Sequence, residues 1–388
     1  MKNNLLPLGT RDEFGVRSEE KQRIIGIIQR HFKSLGFARI STPIIEKQAV
    51  FQPYQLIDSK MYRLLDQEGD TIVLRPDLTL PIARFLSSTS IPLPQKFCYV
   101  GDIFRLSRSL SGSYNQLTQA GIELVGYRST KAELECLSNI YDLSQEILDE
   151  QVTIELGYAD FAKIFLDIFT DDAELRKQIA QALFNKKITE YERLIIPFET
   201  QNLYPLLKRW PRLFGEPDDI FQELNRYDLP NSVTVRLEKI KKVVSLVRQV
   251  RPHQQLVIDL SSRAPQQYYT GLTFRGFAKS GEDYIFSGGR YDNLLANFQA
   301  QNEPAVGMGI DIDLLTDLCV KKINRLPKIL VFSSIENWSK AQALVQKLPN
   351  ATLSLSDTKA DAIKEAQRTQ AKIIDIEEDE NEFEDSFN

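Results

Sequence analysis

The sequence predicts an α+β fold, because alternating apolar patterns typical of strands occur apart from long stretches with helical spacing. The central observation is the stretch 101–126, GDIFRLSRSLSGSYNQLTQAGIELVG, in which two alternating arms flank a polar loop at 107–115. This pattern predicts an antiparallel hairpin. A second hairpin is predicted over 61–74, with its turn at Gly69 and Asp70. Strand patterns return after residue 255 in LVIDL, YYTGLTFRGF, DYIFSGGRYD and PAVGMGIDIDLL.

The first predicted helix follows a short extended arm. It begins at Ser18, a capping residue followed by two acids near the positive end of the helix dipole, and Gly36 can end it. A strand over 37–41 comes next and stops at Pro43, which lacks a backbone N–H and so suits a sheet edge or an interface.

Four further helical regions are predicted. Pro81 stands early in one helix, where its missing N–H is tolerated. Thr130 and Glu133 form a T-x-x-E capping box at the start of another. The segment 233–250 has apolar residues at helical spacing, and the segment 158–230 is mostly helical but broken by prolines.

Length and composition restrict the class of protein. The chain has 388 residues, which corresponds to about two to three domains. Its net charge of −5 and pI near 5.4 argue against a dedicated nucleic-acid binder. The three scattered cysteines, Cys98, Cys136 and Cys319, favour a reducing compartment. No apolar run has the length of a signal peptide or of a membrane span, so we expect a cytoplasmic protein without membrane contact.

The domain organisation follows from these patterns. Residues 1–325 are predicted to form the main domain, with the mostly helical segment at about 158–230 inserted in it. Residues 326–376 have a β-α-β-α-β pattern and predict a small C-terminal α/β domain. Residues 377–388 are almost all acidic or polar and predict a disordered tail.

Few common catalytic motifs are present. The sequence has no P-loop, no zinc-type Cys/His spacing and no H-E-x-x-H motif, so no metal or cofactor is predicted. His31 and His253 lie far apart and are not expected to be catalytic, and Cys98 is expected to be a small core residue.

Two features do suggest a polar ligand pocket. Arg105, Gln119 and Glu123 lie on the central hairpin, although a surface ribbon with ordinary charges is an alternative interpretation. The later strands are also rich in glycine, which indicates bulges, close approach of backbone or ligand, or ordinary turns. These glycines are Gly271, Gly276, Gly288, Gly289, Gly307 and Gly309.

Seven segments resemble, in the same order, the catalytic domain of class II histidyl-tRNA synthetases. They cover roughly residues 8–315 and read LGTRDEF, GFARISTPIIE, KMYRLLDQEGDTIVLRPDLT, the FR…QAGIELVG hairpin, YYTG, GGRYD and PAVGMGI. The resemblance implies an antiparallel sheet flanked by helices. It also implies that the segment GFARISTPIIE forms a dimer interface.

The same resemblance implies a binding site for free histidine. Carboxylates for an ammonium group and tyrosine hydroxyls for a ring nitrogen are the chemistry that histidine needs. The implied site residues are Asp77, Thr79, Arg105, Gln119, Glu123, Tyr268 and Tyr269.

The departures from the synthetase pattern concern arginines and an acid that handle ATP. Ser107 stands at the position of the acid. The arginine positions are held by Ser113 or a neighbour, by Ala264, with Arg263 one residue out of register, and by Leu314, which follows Asp313. Each charge-assisted contact is worth about 1.5–3 kcal/mol. Losing two or three of them predicts a loss of ATP activation of about a thousand-fold or more, so no catalytic residue is assigned.

A synthetase-like domain with a retained histidine pocket and lost ATP chemistry resembles the regulatory subunits of ATP phosphoribosyltransferase. That resemblance implies a dimer that assembles with short-form catalytic subunits in the first step of histidine biosynthesis. It implies activation of those subunits and feedback inhibition by L-histidine. Two alternatives remain: a divergent histidyl-tRNA synthetase or amino-acid-activating ligase, which would use Arg105 and Arg263, and a sensor module for other partners.

Overall fold

The computed structural model describes residues 5–52, 61–106, 114–279, 281, 283–298, 302–321 and 328–378. The chain divides into two compact units, residues 1–321 and residues 322–388. Three sequence predictions lie wholly or mostly outside the described residues: most of the 107–115 loop, the domain boundary near Leu326, and the tail beyond residue 378.

The first unit contains both classes of secondary structure. Its strands are β1 (Ala38–Arg39), β2 (Ile45–Lys47), β3 (Arg63–Leu65), β4 (Thr71–Leu74), β5 (Gln95–Phe104), β6 (Gln116–Val125), β7 (Thr153–Tyr158), β8 (Phe214–Gly215), β9 (Leu256–Asp259), β10 (Leu272–Phe277), β11 (Tyr284–Arg290) and β12 (Ala305–Asp311). Its α-helices are α1 (Val16–Ser34), α2 (Thr79–Ser87), α3 (Lys131–Leu148), α4 (Phe161–Leu166), α5 (Ala173–Phe184), α6 (Ile188–Ile195), α7 (Tyr204–Arg209), α8 (Pro217–Leu224), α9 (Asn231–Val250) and α10 (Ile312–Val320).

A large, mostly antiparallel sheet organises this unit. Within the described ranges its nine strands run in the order β1-β5-β6-β12-β11-β10-β7-β9-β8. Only the pairs β1–β5 and β7–β9 are parallel among those ranges. A smaller sheet has the order β2-β4-β3. The predicted α+β fold with an antiparallel sheet flanked by helices is confirmed.

The central hairpin is formed by β5 and β6. These strands pair antiparallel along their whole length, from Gln95 opposite Val125 to Phe104 opposite Gln116. The second predicted hairpin is also present, as β3 and β4. In its turn the Asp66 carboxylate accepts the Asp70 amide at 2.8 Å.

One face of the large sheet carries the main core. Ile122 of β6 and Met308 of β12 are buried on this face with the helices α1, α3 and α9 packed over them. Since side chains alternate along a strand, the neighbours of these residues point to the opposite face. That opposite face is where the polar residues of the hairpin lie.

Three local predictions need correction. The first helix begins at Val16 rather than Ser18, after Gly15 with φ of 61°, and no side chain caps it. The predicted strand over 37–41 is paired only at Ala38–Arg39.

The predicted capping box at Thr130 and Glu133 is wrong. Thr130 has helical backbone angles, and its side chain makes no capping bond to α3. The carboxylate of Glu133 instead accepts two hydrogen bonds from Arg290, each 2.7 Å long. The largely buried guanidinium of Arg290 needs an anionic partner, and this long-range demand overrides the local motif.

The segment 158–230 contains the helices α4 to α8 and the short strand β8, which extends the large sheet beyond β9. Trp210 anchors it, fully buried, with its Nε1 donating to the Leu260 carbonyl at 2.7 Å.

The second unit has the predicted β-α-β-α-β order. Its elements are β13 (Lys328–Phe332), α11 (Trp338–Lys347), β14 (Ala351–Leu353), α12 (Lys359–Thr369) and β15 (Ala371–Asp375). The strands are parallel in the order β14-β13-β15.

Among the described residues of the chain, none of the helices combines the length and the apolar character needed to cross a membrane.

The N-terminal arm is fastened to the large sheet by a buried carboxylate. Asp313 lies 2.6 Å from Arg11, 3.1 Å from Arg17 and 3.0 Å from Lys21. Its other oxygen accepts the Thr118 amide at 2.6 Å. Burial by itself would raise the pKa of Asp313, but the Thr118 amide and the Lys21 ammonium group together lower that pKa below its usual value.

We expect Asp313→Asn to reduce the free energy of unfolding by about 2–3 kcal/mol, because three cations lose their shared anion and are only partly exposed to water. Since the folded pKa is lowered, this contribution is present above about pH 4 and is lost as the pH falls through the folded value. Urea unfolding at pH 7 and pH 3.5 measures both effects. The exposed Asp171→Asn is the control, and equal stability of the two variants at pH 7 would contradict the prediction.

Candidate functional site

Two strand glycines open the polar face of the sheet. Gly307 of β12 pairs with Glu123 of β6. Gly309, two residues further along β12, pairs with the same strand β6. A Cβ at Gly307 would lie 1.8 Å from Glu123 Oε2, and one at Gly309 would lie 2.3 Å from Gln119 Nε2. These two glycines therefore allow other groups to approach the backbone closely, which was one of the interpretations that the sequence left open. They leave space in which the long side chains of Gln119 and Glu123 can lie flat on the sheet.

Glu123 is the centre of a buried hydrogen-bonded cluster. It is 1% exposed. Its Oε1 accepts from Thr79 Oγ1 at 2.8 Å and from the Tyr99 hydroxyl at 3.2 Å, and its Oε2 accepts from the Tyr291 hydroxyl. Burial raises the pKa of Glu123 to about 8, even though these hydroxyl donors act in the opposite direction. With this pKa the carboxyl group is mostly protonated at pH 7.

Three tyrosine rings surround the carboxyl group. The ring centroids of Tyr268 and Tyr269 are 5.1 Å apart, and those of Tyr268 and Tyr291 are 5.6 Å apart. Burial raises the pKa of all three hydroxyls well above the usual value, so they remain protonated and can donate hydrogen bonds. The result is an aromatic pocket wall with several polar tips.

Helix α2 brings Asp77 and Thr79 to this cluster. Asp77 Oδ1 accepts the Leu80 amide at 2.8 Å, so one carboxylate oxygen fastens the first turn of the helix. Burial raises the pKa of Asp77, while the backbone amides and the positive charge of Arg105 act against that rise. Arg105 is itself positioned by its Nε, which donates to the Pro76 carbonyl at 2.7 Å.

Gln119 has an unmet acceptor. Its Oε1 is buried and accepts no hydrogen bond from the residues that the structure describes. Buried polar atoms in folded proteins normally have partners. A ligand with an N–H donor would supply the missing partner at this point.

The structure thus brings five of the seven predicted residues, Asp77, Thr79, Glu123, Tyr268 and Tyr269, into one cluster, with Arg105 beside Asp77 and Gln119 four residues before Glu123 on β6. Sequence analysis missed Tyr99 and Tyr291 as members. Tyr99 looks like an ordinary residue of an apolar strand, and Tyr291 is part of the GGRYD segment without an assigned role. The signal that could have found Tyr99 is Gly121, its partner in the β5–β6 ladder, where a Cβ would lie 2.3 Å from the Tyr99 hydroxyl.

The positions that differ from the synthetase pattern have other uses here. Leu314 packs, partly buried, against the main core, and Asp313 holds the N-terminal arm. The carbonyl of Arg263 accepts from Arg275, and Ala264 is partly buried. Ser107 and Ser113 lie outside the described residues.

His31 and Cys98 have their contacts outside this cluster. His31 Nε2 is 2.8 Å from Asn139 Oδ1, between α1 and α3. Cys98 is buried in β5, and burial raises the pKa of its thiol. The burial of Cys98 agrees with the core position predicted for it.

Comparison with known proteins gives a consistent result. A sequence model of the family described as histidyl-tRNA synthetase matches residues 9–315. An ATP phosphoribosyltransferase regulatory subunit from Lactiplantibacillus plantarum is 53% identical over 97% of this chain and 98% of its own length. One from Listeria monocytogenes serotype 4b is 33% identical over 94% of this chain and 93% of its own length.

The chain belongs to the ATP phosphoribosyltransferase regulatory subunit family. The family predicted from the sequence is confirmed, and the chain is a regulatory, non-catalytic subunit.

Solved structures agree on the fold. A Bacillus halodurans C protein described as an ATP phosphoribosyltransferase regulatory subunit/histidyl-tRNA synthetase has a TM-score of 0.81 at 23% identity, covering 96% of this chain and 98% of its own. Histidyl-tRNA synthetase from Nostoc sp. PCC 7120 has a TM-score of 0.77 at 20% identity, covering 97% and 92%.

We expect Gly307→Ala to destabilise the protein by about 1–3 kcal/mol, because the new methyl group collides with the Glu123 carboxyl group. Gly281→Ala is the matched control, since the nearest atom to its Cβ would be 3.6 Å away. Thermal and urea unfolding measure the difference. Equal stability of the two variants would show that the cluster tolerates the displacement of Glu123.

Proposed function

We propose that this chain activates a short-form ATP phosphoribosyltransferase catalytic subunit in the first step of histidine biosynthesis and conveys feedback inhibition by L-histidine. The observation that carries the proposal is the polar cluster around Glu123, in a chain whose sequence lacks arginines that bind ATP in the synthetase pattern. The names of the relatives support the partnership with a catalytic subunit.

The cluster has the chemistry to recognise histidine. Glu123, Asp77 and the unmet oxygen of Gln119 can accept from an ammonium group and a ring N–H. The hydroxyls of Tyr268 and Tyr269 can donate to a ring nitrogen, and their rings can pack against an imidazole. The carboxyl group of Glu123 already has three hydroxyl partners, so a ligand has to replace at least one of them.

The effect on the partner enzyme would be allosteric. Histidine must bind with different affinity to the active and inhibited states of the assembly, because a ligand that binds both states equally shifts nothing. A dimer is part of the proposal, and exposed apolar residues of the segment expected at its interface support it. Ile44 and Ile45 are each 49% exposed. The three buried free cysteines agree with a cytoplasmic location.

A divergent synthetase or ligase is the second candidate. It is disfavoured because Leu314 supplies no charge at a position where the synthetase pattern has an arginine. Histidine-dependent exchange of pyrophosphate into ATP would restore this candidate. A sensor for other partners would be supported by a gene neighbourhood without histidine-biosynthesis genes.

We expect histidine binding at pH 7 to release close to one proton from Glu123. The raised pKa keeps that group mostly protonated at pH 7, and the ammonium group of histidine favours its ionised form. Affinity should therefore rise between pH 6.5 and 8.5. Calorimetry in two buffers with different ionisation enthalpies counts the protons.

The matched variants for this measurement are Glu123→Gln and the exposed Glu199→Gln. Glu123→Gln should bind histidine about tenfold or more weakly, because one ionisable acceptor is lost, and should release no proton at this position. Unchanged affinity and unchanged proton release in Glu123→Gln would place the effector elsewhere.

We expect addition of the chain to a short-form catalytic subunit to raise its turnover and to make that turnover sensitive to histidine. Glu123→Gln should still activate but should need about tenfold or more histidine for half-inhibition, because the effector site and the activating contact are separate. Steady-state rates across a histidine titration measure both effects. If the chain does not change the turnover, the regulatory proposal is overturned. If Glu123→Gln activates and its inhibition by histidine is unchanged, only the assignment of the histidine site is overturned.

A further inference from the structure

A second cavity lies on the other face of the large sheet. It has a volume of about 330 Å³ and lies between the start of α3, the helix α9 and the ends of β10 and β11. Arg290 lines it, whereas the preceding Gly289 faces Tyr269 in the Glu123 cluster. Because successive residues of a strand point to opposite faces, the cavity and the Glu123 cluster are separate sites.

The floor of the cavity is a fixed ion pair. Arg290 donates to both oxygens of Glu133 at 2.7 Å and to Asp292 at 3.2 Å. This two-pronged geometry with Glu133 holds the guanidinium rigidly. Both acids on the cavity wall are therefore engaged by Arg290, and the three groups together carry one net negative charge.

The rim carries an excess of positive charge. Lys239 and Lys242 stand on one face of α9, three residues apart, and Arg128 approaches from the residues before α3. Within the described part of the chain, these three cations have no carboxylate partner, and Lys239 contacts only the Tyr158 hydroxyl, at 3.3 Å. The whole chain has a net charge of −5, so this cluster of cations contrasts with the negative charge of the chain as a whole. Like charges that converge on a concave surface repel one another unless an anion lies between them.

The start of α3 adds neutral donors to the same cavity. Thr130 lines the cavity, and its hydroxyl makes no capping bond to the helix. The 18-residue helix begins immediately afterwards, so its positive dipole end is near the cations. A hydroxyl, a helix start and several cations, here two from α9 and one from the residues before α3, are the groups that bind phosphate in proteins.

We propose that this cavity binds a small phosphorylated molecule of the sugar-phosphate or nucleotide class. Arg128, Lys239 and Lys242 hold the phosphate oxygens, and Thr130 donates to one of them. The volume, within the range of small-molecule sites, leaves room for a ribose-sized group beside the phosphate. The groups converge from different elements on one compact cavity, which fits a small anion better than an extended acidic polymer.

The test is calorimetry on the full chain at low ionic strength with inorganic pyrophosphate, ribose 5-phosphate and AMP as probes. The site variant is Arg128→Gln with Lys242→Gln, two exposed positions. The control is Arg193→Gln with Lys208→Gln, which removes the same charge from exposed positions elsewhere. Lys242→Gln alone is a second site variant, and unfolding temperatures check that each variant is folded.

We expect saturable binding of at least one organic phosphate to the wild type and to the control, and binding about tenfold or more weaker to the site variant. Glu123→Gln should bind the phosphate normally, since it alters the other face of the sheet. The proposal is overturned if no probe binds the wild type saturably, if the site variant binds as tightly as the control, or if only an acidic polypeptide such as polyglutamate binds.

Discussion

The burial of Glu123 is the constraint on which the rest of the polar face depends. A carboxyl group that is removed from water must be protonated or surrounded by donors, and this one is close to the balance between the two. Three hydroxyls contact it, and Gly307 opposite leaves the space that its side chain occupies. Such a group responds strongly to any added charge. A cationic ligand can therefore change both its protonation and the hydrogen bonds of the tyrosines around it.

The residues just after β12 differ from the synthetase pattern. Asp313, at the start of α10, contacts Arg11 of the N-terminal arm and Arg17 and Lys21 of α1. The next residue, Leu314, packs against the core. Asp313 and Leu314 therefore stabilise the fold. The synthetase pattern has an arginine that binds ATP in this segment. This division agrees with a regulatory subunit that retains the architecture of an enzyme.

Local sequence patterns predicted the elements better than their ends. The β5–β6 hairpin and the C-terminal β-α-β-α-β order follow from apolar periodicity, which reflects burial on one face and is read directly from the chain. The capping box failed for the opposite reason. Glu133 and Thr130 match a local motif, but Arg290, 157 residues further along, offers Glu133 a stronger partner. A motif defined by neighbouring residues cannot reveal a partner that is so far away in the sequence.

The sequence by itself determined the fold class, the family and most members of the Glu123 cluster, because strand periodicity and ordered motifs are properties of the linear chain. Only the tertiary structure decided that Tyr99 and Tyr291 complete the cluster and that Gln119 retains an unmet acceptor. It alone brought Arg128 near Lys242 around a second cavity. The physical reason is that hydrogen bonding, burial and charge depend on distances between atoms. Those distances are set when the strands pair and the helices pack.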